Sequence, residues 1–415
     1  MRLVAVTGIG VVSPMGWGKD VFWNGLIKGR DFGGQVTYFD TTRHRYQKAA
    51  EVPGKVGAND GPHYSRMRRF TEFAAREAIE DSQLELPISC PQAGAVILGS
   101  LLPNVQIIDF LRNKRNSGNN NRGNSSLGLT VASSFAHELA REFGFCGPCM
   151  IICTACASST NAIGHAASLI RQGRCEIALC GGADLLTEAI HAGFGVLHTL
   201  TNGPCRPFDH TREGFFLGEG AAILVLEEME YAKSRGASIY GFIAGYGLSN
   251  DAYHLSAPHP EGEGAAKAIS AALVDAGIRA DDVGYINAHG TGTTLNDAAE
   301  TKAIKKVFGE HARLIPVSSN KSAFGHAQGA TGAFEAVATI LSLYHSHIPP
   351  TVNFEHPDPA CDLDIVSRPR NARLGFALSN SFAFGGANAV LVFKAVFRRE
   401  TSDDGIRFGN RRRLT

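Results

Sequence analysis

The chain has 415 residues, 44% of them hydrophobic and 19% charged, which is enough apolar material for a large buried core. Its 40 basic and 39 acidic residues leave a formal net charge of +1, which excludes an intrinsically disordered chain and an overall attraction to nucleic acid or membranes. No apolar stretch reaches the roughly 18 residues that a membrane span needs. Residues 1–14 read as a strand and a turn rather than a signal peptide, so the nine cysteines are expected to be reduced thiols of a cytoplasmic protein.

Hydrophobic patterning predicts alternating strands and helices along the first part of the chain. The predicted strands cover 3–7, 93–98, 149–153 and 177–180. The predicted helices cover 70–83 and 129–143, and a third helix follows an elbow over 154–158 and extends to about residue 172. Such alternation favours parallel, buried sheets with right-handed crossovers. The asparagine-rich residues 112–126 are expected to form a mobile surface loop.

The second part of the chain repeats this order of elements. The predicted strands cover 239–246, 283–288, 314–318, 374–378 and 389–396, and the predicted helices cover 265–276 and 329–344. We therefore predict an α/β protein built by duplication, with one half over 1–236 and the other over 237–397. The tail over 398–415 carries six arginines and little apolar matter, which predicts disorder.

Four cysteines, Cys146, Cys149, Cys153 and Cys156, have a C-x2-C-x3-C-x2-C spacing that invites a metal or redox interpretation. Side chains of an extended strand alternate between faces, so the thiols would not converge on a metal. The CGPC segment follows a predicted helix and precedes a strand, whereas a redox CxxC should open a helix. We therefore interpret Cys146, Cys149 and Cys153 as small core residues.

Cys156 differs because it lies in the segment TACASS, between a predicted strand and a predicted helix. Small residues on both sides permit a tight elbow, which would place the thiol at the start of the helix. There the helix dipole favours thiolate and backbone N–H groups can stabilise an oxyanion. This segment alone leaves two interpretations open, a nucleophile and a buried core cysteine.

The second half supplies possible partners for that thiol. His289 lies at a strand end in NAHGTGT, and Lys321 and His326 follow another strand in NKSAFGH. Glu335 lies in the next helix, where it could hold Lys321 and orient His326. The plainer alternatives are a histidine satisfied within its loop and a surface ion pair. Because the carboxyl ends of parallel strands converge on one crevice, one Cys and two His there would suit acyl transfer through a thioester.

Together with NSFAFGGAN around Phe384, these motifs closely resemble those of the β-ketoacyl–acyl carrier protein synthases, the condensing enzymes of the thiolase fold. The resemblance covers about residues 1–397 and is greatest to the elongating branch with one Cys and two His. It implies a thiolase-like fold whose duplicated halves form a five-layered αβαβα core. It also implies decarboxylative Claisen condensation of malonyl-carrier with a Cys-bound acyl chain, in fatty acid or polyketide biosynthesis.

The resemblance implies a role for each motif. Cys156 resembles the nucleophile, and His289 and His326 resemble the pair that promotes malonyl decarboxylation and stabilises the enolate. The backbone N–H groups of Cys156 and Phe384 would hold the tetrahedral oxyanion, and the Phe384 ring resembles a gate to the acyl tunnel. Lys321 and Glu335 resemble residues that position His326.

Further roles concern binding. Thr291 and Thr293 resemble the contacts to the pantetheine arm of the carrier. A monovalent-cation cluster seen in some relatives is matched by Asn287, Glu335, Ser379 and Asn380. We expect no other cofactor, because the substrates are carried on phosphopantetheine.

The expected partners are an acyl carrier protein and a second ketosynthase-like subunit, either an identical copy or a related chain. Carrier proteins are acidic, so Arg66, Arg68 and Arg69 are candidates for docking, with a solvated helix start as the alternative. A thiolase is disfavoured because the only late cysteine, Cys361, lies outside the last Gly-rich loop. A non-catalytic partner subunit is disfavoured because Cys156 is present.

Overall fold

The structure is a computed structural model that describes residues 2–54, 64–88, 90–103 and 134–396. The asparagine-rich stretch over 112–126 and the tail over 398–415 lie outside the described residues. The strands are β1 (Val4–Ser13), β2 (Gly16–Trp17), β3 (Gly34–Gln35), β4 (Lys48–Ala50), β5 (Gly94–Gly99), β6 (Cys149–Ile152), β7 (Ile177–Asp184), β8 (Leu217–Gly218), β9 (Gly220–Glu228), β10 (Gly241–Asn250), β11 (Val283–Asn287), β12 (Pro316–Ser318), β13 (His347–Ile348), β14 (Asp364–Ile365), β15 (Arg370–Asn371), β16 (Phe376–Phe382) and β17 (Ala387–Ala395). The α-helices are α1 (Lys19–Lys28), α2 (Tyr64–Ser82), α3 (Ser134–Phe143), α4 (Ser158–Arg171), α5 (Glu188–Val196), α6 (Met229–Ser234), α7 (Glu263–Ala276), α8 (Thr294–Phe308), α9 (Lys321–Phe324) and α10 (Thr331–His345).

Two sets of strands have the same spatial order. In the first half the order is β6-β5-β7-β9-β1, and in the second half it is β12-β11-β16-β17-β10. In the first half, β5 pairs in parallel with β6 and β7, and β9 pairs antiparallel with β7 and β1. In the second half, β11 pairs in parallel with β12 and β16, and β17 pairs antiparallel with β16 and β10. The two halves are therefore topological copies.

The two halves are joined through their first strands. β1 and β10 pair antiparallel, with Val4 opposite Ile243, so that the described sheet runs continuously from β6 to β14. This pairing fixes one half relative to the other through backbone hydrogen bonds.

Helices cover the strands in layers. α4 and α10 pack against each other between the two halves of the sheet, and their side chains belong to one large apolar cluster. α2 and α3 cover the outer face of the first half. α7 covers the outer face of the second half and packs against α8. This is the αβαβα arrangement of the thiolase-like fold. Among the described residues, no helix combines the length and apolarity that a membrane crossing requires.

Close approach of the two central helices depends on glycine. A Cβ atom at Gly332 in α10 would come within 2.0 Å of the Thr160 hydroxyl oxygen in α4. A Cβ atom at Gly99, the last residue of β5, would come within 2.3 Å of the Ser159 backbone nitrogen. The absence of these side chains lets the N-terminal turns of α4 and α10 meet at the strand ends.

β6 is the edge strand of the first half in the described sheet. Cys146 and Cys153, which flank it, are exposed, and Cys149 within it is partly buried. The prediction of core positions is therefore wrong for Cys146 and Cys153, because both lie beyond the ends of a strand at the margin of the described sheet rather than within the sheet. All nine cysteines lie in the described ranges, and none forms a disulfide.

Candidate active site

Cys156 lies on a sharp elbow between β6 and α4, as the small residues around it predict. Ala155 has a φ of 49°, in the left-handed region that costs a side-chain-bearing residue some strain. The Ser158 hydroxyl stabilises this turn by accepting from the Thr154 N–H at 2.9 Å and donating to the Ala155 carbonyl at 2.6 Å. The elbow thereby aims the thiol into the cavity at the start of α4.

The Cys156 thiol is 95% buried, with a relative exposure of 5%. Burial raises its pKa to about 11, and the Lys321 charge and the backbone N–H groups of Phe384 and of Cys156 itself oppose that rise. The resting group is therefore a neutral thiol at pH 7. The two N–H groups that point at the sulfur are suited to hold an oxyanion formed on a carbonyl attached there.

His289 follows β11, and its loop is held by a buried carboxylate. The backbone N–H groups of His289 and Gly290 donate to the two oxygens of Glu300 at 2.9 and 2.8 Å. The Lys321 ammonium lies 3.2 Å from His289 Nδ1. Because an ammonium group only donates, Nδ1 accepts and the proton of the neutral ring lies on Nε2. Burial, together with the Lys321 charge, holds the pKa of His289 well below its usual range.

His326 is fixed in the same tautomer by different partners. The Gln328 backbone N–H donates to His326 Nδ1 at 3.0 Å, and the Thr331 hydroxyl oxygen lies 3.0 Å from the same nitrogen. A backbone N–H can only donate, so Nε2 again carries the proton. Burial and the Lys321 charge lower the pKa of this ring well below its usual range.

The two imidazoles and the thiol meet in one cavity. The ring centroids of His289 and His326 lie 5.7 Å apart, with an interplanar angle of 85°. A cavity of about 340 Å³ is lined by both rings and by Cys156. Thr291, Thr293 and Phe384 also line it. Two neutral N–H donors beside a neutral thiol can stabilise negative charge that develops on a substrate oxygen without an existing ion pair to break.

Lys321 and Glu335 form a fully buried ion pair behind the cavity. Besides Glu335, the Lys321 ammonium contacts the His289 carbonyl oxygen at 2.5 Å and His289 Nδ1. The sequence-based expectation that this pair orients His326 differs from the contacts found. Lys321 contacts His289, whereas the partners of His326 Nδ1 are Gln328 and Thr331.

Thr291 and Thr293 connect the cavity wall to α8. Their hydroxyl oxygens lie 2.8 Å apart, and that of Thr293 accepts from the Asn296 N–H as the N-cap of the helix. The two hydroxyls therefore form a polar strip along one wall of the cavity.

Phe384 lies on a loop that requires glycine. Gly385 and Gly386 have φ values of 81° and 76°, which glycine adopts without strain. The Phe384 ring stacks on Phe194, with centroids 6.0 Å apart, and Phe215 packs on His326 at 4.9 Å. The aromatic wall formed by Phe194 and Phe215 was not predicted from the sequence, since both residues lie outside the motifs.

The four residues predicted to bind a monovalent cation carry buried oxygen atoms. Each of the four has a buried side-chain oxygen without a hydrogen-bond partner: Asn287 Oδ1, Glu335 Oε2, Ser379 Oγ and Asn380 Oδ1. Oxygen atoms of this kind are ligands for hard cations. Among the described residues, no group of three or more His, Cys, Asp or Glu side chains is arranged to hold a metal ion.

The predicted docking arginines have different environments. Arg66 is buried, pairs with Glu219, and stacks over the Tyr38 ring at 3.6 Å from its centroid. The prediction that Arg66 docks a partner is wrong, because its guanidinium group is buried and contacts Glu219 and Tyr38. Arg69 is exposed, and Arg68 is half-buried and pairs with carboxylates of α2 and α3.

The cavity thus combines a cysteine from one copy of a duplicated unit with two histidines from the other, and this fold and site define a condensing enzyme. Models of the beta-ketoacyl synthase N-terminal and C-terminal domains match residues 1–232 and 240–355. The chain belongs to the β-ketoacyl synthase family, and it is a condensing acyltransferase.

Relatives and solved structures are similar over nearly the whole chain. Proteins named 3-oxoacyl-[acyl-carrier-protein] synthase 2 from Synechocystis sp. and Staphylococcus aureus are each 39% identical, covering 95% of this chain and 98% of the relative. A type II PKS ketosynthase in complex with its acyl-carrier protein has a TM-score of 0.89 at 32% identity, covering 95% of this chain and 99% of its own. The ishigamide ketosynthase/chain length factor has a TM-score of 0.87 at 35% identity, with the same coverage.

Proposed function

We propose that the protein elongates acyl chains in the cytoplasm by condensing a Cys156-bound acyl group with malonyl-acyl carrier protein. The products are β-ketoacyl-carrier and carbon dioxide. The observation that carries this proposal is the shared tautomer of His289 and His326, which places two neutral Nε2–H donors beside one buried thiol. Names of the most similar relatives, which are acyl-carrier-protein synthases, support the same reaction.

The first step transfers the acyl group. The Cys156 sulfur attacks the carrier thioester, and the proton of the thiol leaves with the pantetheine sulfur. The carbonyl oxygen gains negative charge in the tetrahedral state, where the N–H groups of Cys156 and Phe384 can hold it. Collapse breaks the bond to pantetheine and leaves an acyl thioester on Cys156.

The second step generates the carbon nucleophile. The electron pair of the bond between the malonyl carboxylate and its α-carbon moves into the enolate as carbon dioxide leaves. The Nε2–H groups of His289 and His326 stabilise the enolate oxygen, and neutral donors gain most when the charge appears. The α-carbon then attacks the acyl thioester, and the Cys156 sulfur leaves and takes up a proton.

The buried oxygens around Asn287 fit a monovalent cation. Glu300 and Glu335 place two carboxylates beside this cluster, and Lys321 supplies one positive charge. Burial raises the pKa of Glu335 to about 7, although the charge of Lys321 opposes that rise. A monovalent cation held by Asn287, Glu335, Ser379 and Asn380 would neutralise the remaining charge and stiffen the loops of both histidines.

Acyl carrier protein and a second ketosynthase-like subunit are the proposed partners. Solved structures similar to this chain include a ketosynthase with its acyl-carrier protein and ketosynthases with a chain length factor. The half-buried apolar edge of β6 is suited to such a subunit, because it offers unpaired backbone groups in the described sheet. Arg68 and Arg69 are the proposed docking contacts for the acidic carrier.

Whether the second subunit is an identical or a related chain separates two forms of this function. Native mass spectrometry of the purified chain tests the choice. A catalytically active dimer of this chain alone supports a homodimer, while activity that appears only with a related subunit supports the heterodimer.

Reconstitution with acyl-carrier and malonyl-carrier tests the reaction directly. We expect an acyl adduct on intact wild-type protein, followed by β-ketoacyl-carrier when malonyl-carrier is added. Cys156→Ala should form no adduct, while the matched control Cys90→Ala should behave as wild type, because Cys90 is an exposed thiol that does not line the cavity. An adduct that persists in Cys156→Ala would overturn the assignment of the nucleophile.

The cation site is tested by thermal unfolding in KCl, NaCl and choline chloride at equal ionic strength. Binding to the folded state alone raises the melting temperature in proportion to the logarithm of the cation concentration. We expect this dependence in wild type and its loss in Ser379→Ala. Equal melting temperatures in all three salts would remove the cation from the account.

A further inference from the structure

Asp184 is a buried carboxylate at the end of β7 that the proposed reaction does not use. It is 3% exposed, and it accepts from the Ser100 hydroxyl at 2.7 Å, the Leu101 N–H at 2.9 Å and the Ala330 N–H at 3.1 Å. The Gly329 N–H also donates to it. Every identified partner is a donor, so the pocket around this side chain is built for an anion or a strong acceptor.

Two of these donors belong to the turn that holds His326. Gly329 and Ala330 lie between Gln328 and Thr331, the two residues whose polar groups contact His326 Nδ1. Gln328 has a φ of 59°, a left-handed conformation that a non-glycine residue keeps only when its surroundings enforce it.

The end of β7 holds this turn at a second point. The Gln328 side-chain amide donates to the Leu185 carbonyl at 2.9 Å, directly after Asp184 in the chain. Both contacts cross between the halves, since β7 belongs to the first and the turn to the second. The turn therefore has its anchor outside its own half.

We propose that Asp184 is a positioning residue for decarboxylation: by anchoring the turn over 328–331, it keeps donors on His326 Nδ1 and so keeps the Nε2 proton directed at the substrate. This inference rests on the proposed function, because it assigns Asp184 to the step that His326 serves. Asp184 does not line the cavity with the thiol, although its charge helps to raise the pKa of Cys156. We therefore expect acyl loading of Cys156 to continue without Asp184.

Comparison of Asp184→Ala with Asp184→Asn separates loss of the contact to the turn over 328–331 from a general loss of stability. Asp184→Ala leaves the Gly329 and Ala330 N–H groups without their acceptor. In Asp184→Asn the amide oxygen can still accept from Ala330 and Leu101, while its NH₂ group donates to the Ser100 hydroxyl, which can also accept. Asn should therefore restore much of what Ala loses.

Asp81→Ala is the matched control. Asp81 also accepts from a backbone N–H of a strand, that of Ile9 at 2.9 Å, but it lies on α2 in an outer layer. Its loss should lower the melting temperature without changing the ratio of decarboxylation to acyl loading.

Steady-state decarboxylation of malonyl-carrier and the rate of Cys156 acylation are measured for each variant. We expect kcat for decarboxylation to fall about 100-fold in Asp184→Ala, because small displacements of a reacting group cost that much, and about 10-fold or less in Asp184→Asn. KM for malonyl-carrier and the acylation rate should stay within about twofold of wild type, as expected for a transition-state effect alone.

Nitrogen NMR of protein labelled at histidine reports the tautomer independently of any reaction. The His326 signals are assigned by their absence from His326→Ala. We expect an unprotonated Nδ1 in wild type and Asp184→Asn, and a mixture of both tautomers in Asp184→Ala.

Two results would overturn the positioning role. One is decarboxylation within threefold of wild type in Asp184→Ala while His326→Ala is inactive. The other is an unchanged His326 tautomer in Asp184→Ala, together with equal losses of acylation and decarboxylation, which would indicate general destabilisation. Failure of the proposed function is distinct, because wild type would then show no acylation or decarboxylation while the tautomer measurement still tests Asp184.

Discussion

The two halves of the molecule share a strand order but differ in the residues that follow corresponding strands. Gly99, the last residue of β5, pairs with β7, and Asn287, the last residue of β11, pairs with β16. Since β7 and β16 are equivalent strands of the two halves, Gly99 and Asn287 occupy corresponding positions. Two residues further on, the first half has Leu101 and the second has His289. The two halves therefore share a strand order, while the residues after these corresponding strands differ in their chemistry.

Each half also completes the part of the site that the other provides. Tyr246 of β10, in the second half, donates to Asn161 at 2.8 Å, and Asn161 donates to Thr154 in the elbow of the first half at 2.7 Å. In the opposite direction, Asp184 contacts the turn that carries His326. Neither half contains a complete site, so variants at each strand end test how the functions are divided.

Removing either imidazole should have the largest effect of the changes considered, and it should act on decarboxylation, the step served by the histidines of the second half. His289→Ala and His326→Ala each delete one N–H donor to the enolate oxygen, so decarboxylation should fall about 100- to 1000-fold. Acylation of Cys156, a first-half function, should continue. Carbon dioxide release from malonyl-carrier and intact-protein mass measure the two steps, and full decarboxylation in either variant would break the proposed division.

The pH dependence of Cys156 reactivity tests the nucleophile, which the first half supplies. Burial raises the pKa of Cys156 to about 11, so the thiolate fraction should rise tenfold per pH unit from pH 7 to about 10. The alkylation rate with iodoacetamide, followed by mass, should rise with the same slope. A rate that is flat between pH 7 and 9 would instead indicate a thiolate stabilised by a protonated histidine.

Lys321→Met should destabilise the second half strongly. It leaves the Glu335 carboxylate buried without its partner, which typically costs about 3–5 kcal/mol of unfolding free energy. Lys321→Met combined with Glu335→Gln should recover part of this loss because the buried charge is removed. Urea unfolding of the three proteins measures the difference, and equal midpoints for wild type and Lys321→Met would contradict the buried pair.

Gly332→Ala should have the smallest effect of this series. The added Cβ would meet the Thr160 hydroxyl oxygen at the contact between α4 and α10, and such overpacking costs about 1–3 kcal/mol. Gly236→Ala, where a Cβ would meet nothing within 4 Å, is a spatial control, although its φ of 72° adds some strain of its own. The melting temperature should fall more in Gly332→Ala; the reverse order would question the contact between the halves.

Much of the strand and helix order could be predicted from the sequence, but the helices α1, α5 and α8 and the strand β9 were not. The helix predicted to follow an elbow over 154–158 and to extend to about residue 172 forms over Ser158–Arg171, so it begins inside the predicted elbow. The strand predicted at 149–153 forms over Cys149–Ile152. β9 was not predicted, although it is nine buried residues long. Buried on both faces between β1 and β7, it lacks the alternation that identifies a half-exposed strand.

The site was predicted mainly by its motifs, and the contacts between distant segments were not. Local spacing placed Cys156, His289 and His326 at strand ends, and the cavity contains all three. The contact between Lys321 and His289 could not be derived, since the two residues are 32 positions apart in the sequence and local spacing does not predict such contacts. Asp184 left a signal that went unused, a charged residue at the end of the apolar run IALCGGA.

The most direct test combines the two halves in one experiment. The variant with both His289→Ala and His326→Ala is mixed with acyl-carrier and then malonyl-carrier, and intact-protein mass is followed together with the carrier products. We expect an acyl adduct on Cys156 that persists while no β-ketoacyl-carrier forms. Formation of β-ketoacyl-carrier at the wild-type rate, or an adduct on a different cysteine, would contradict it.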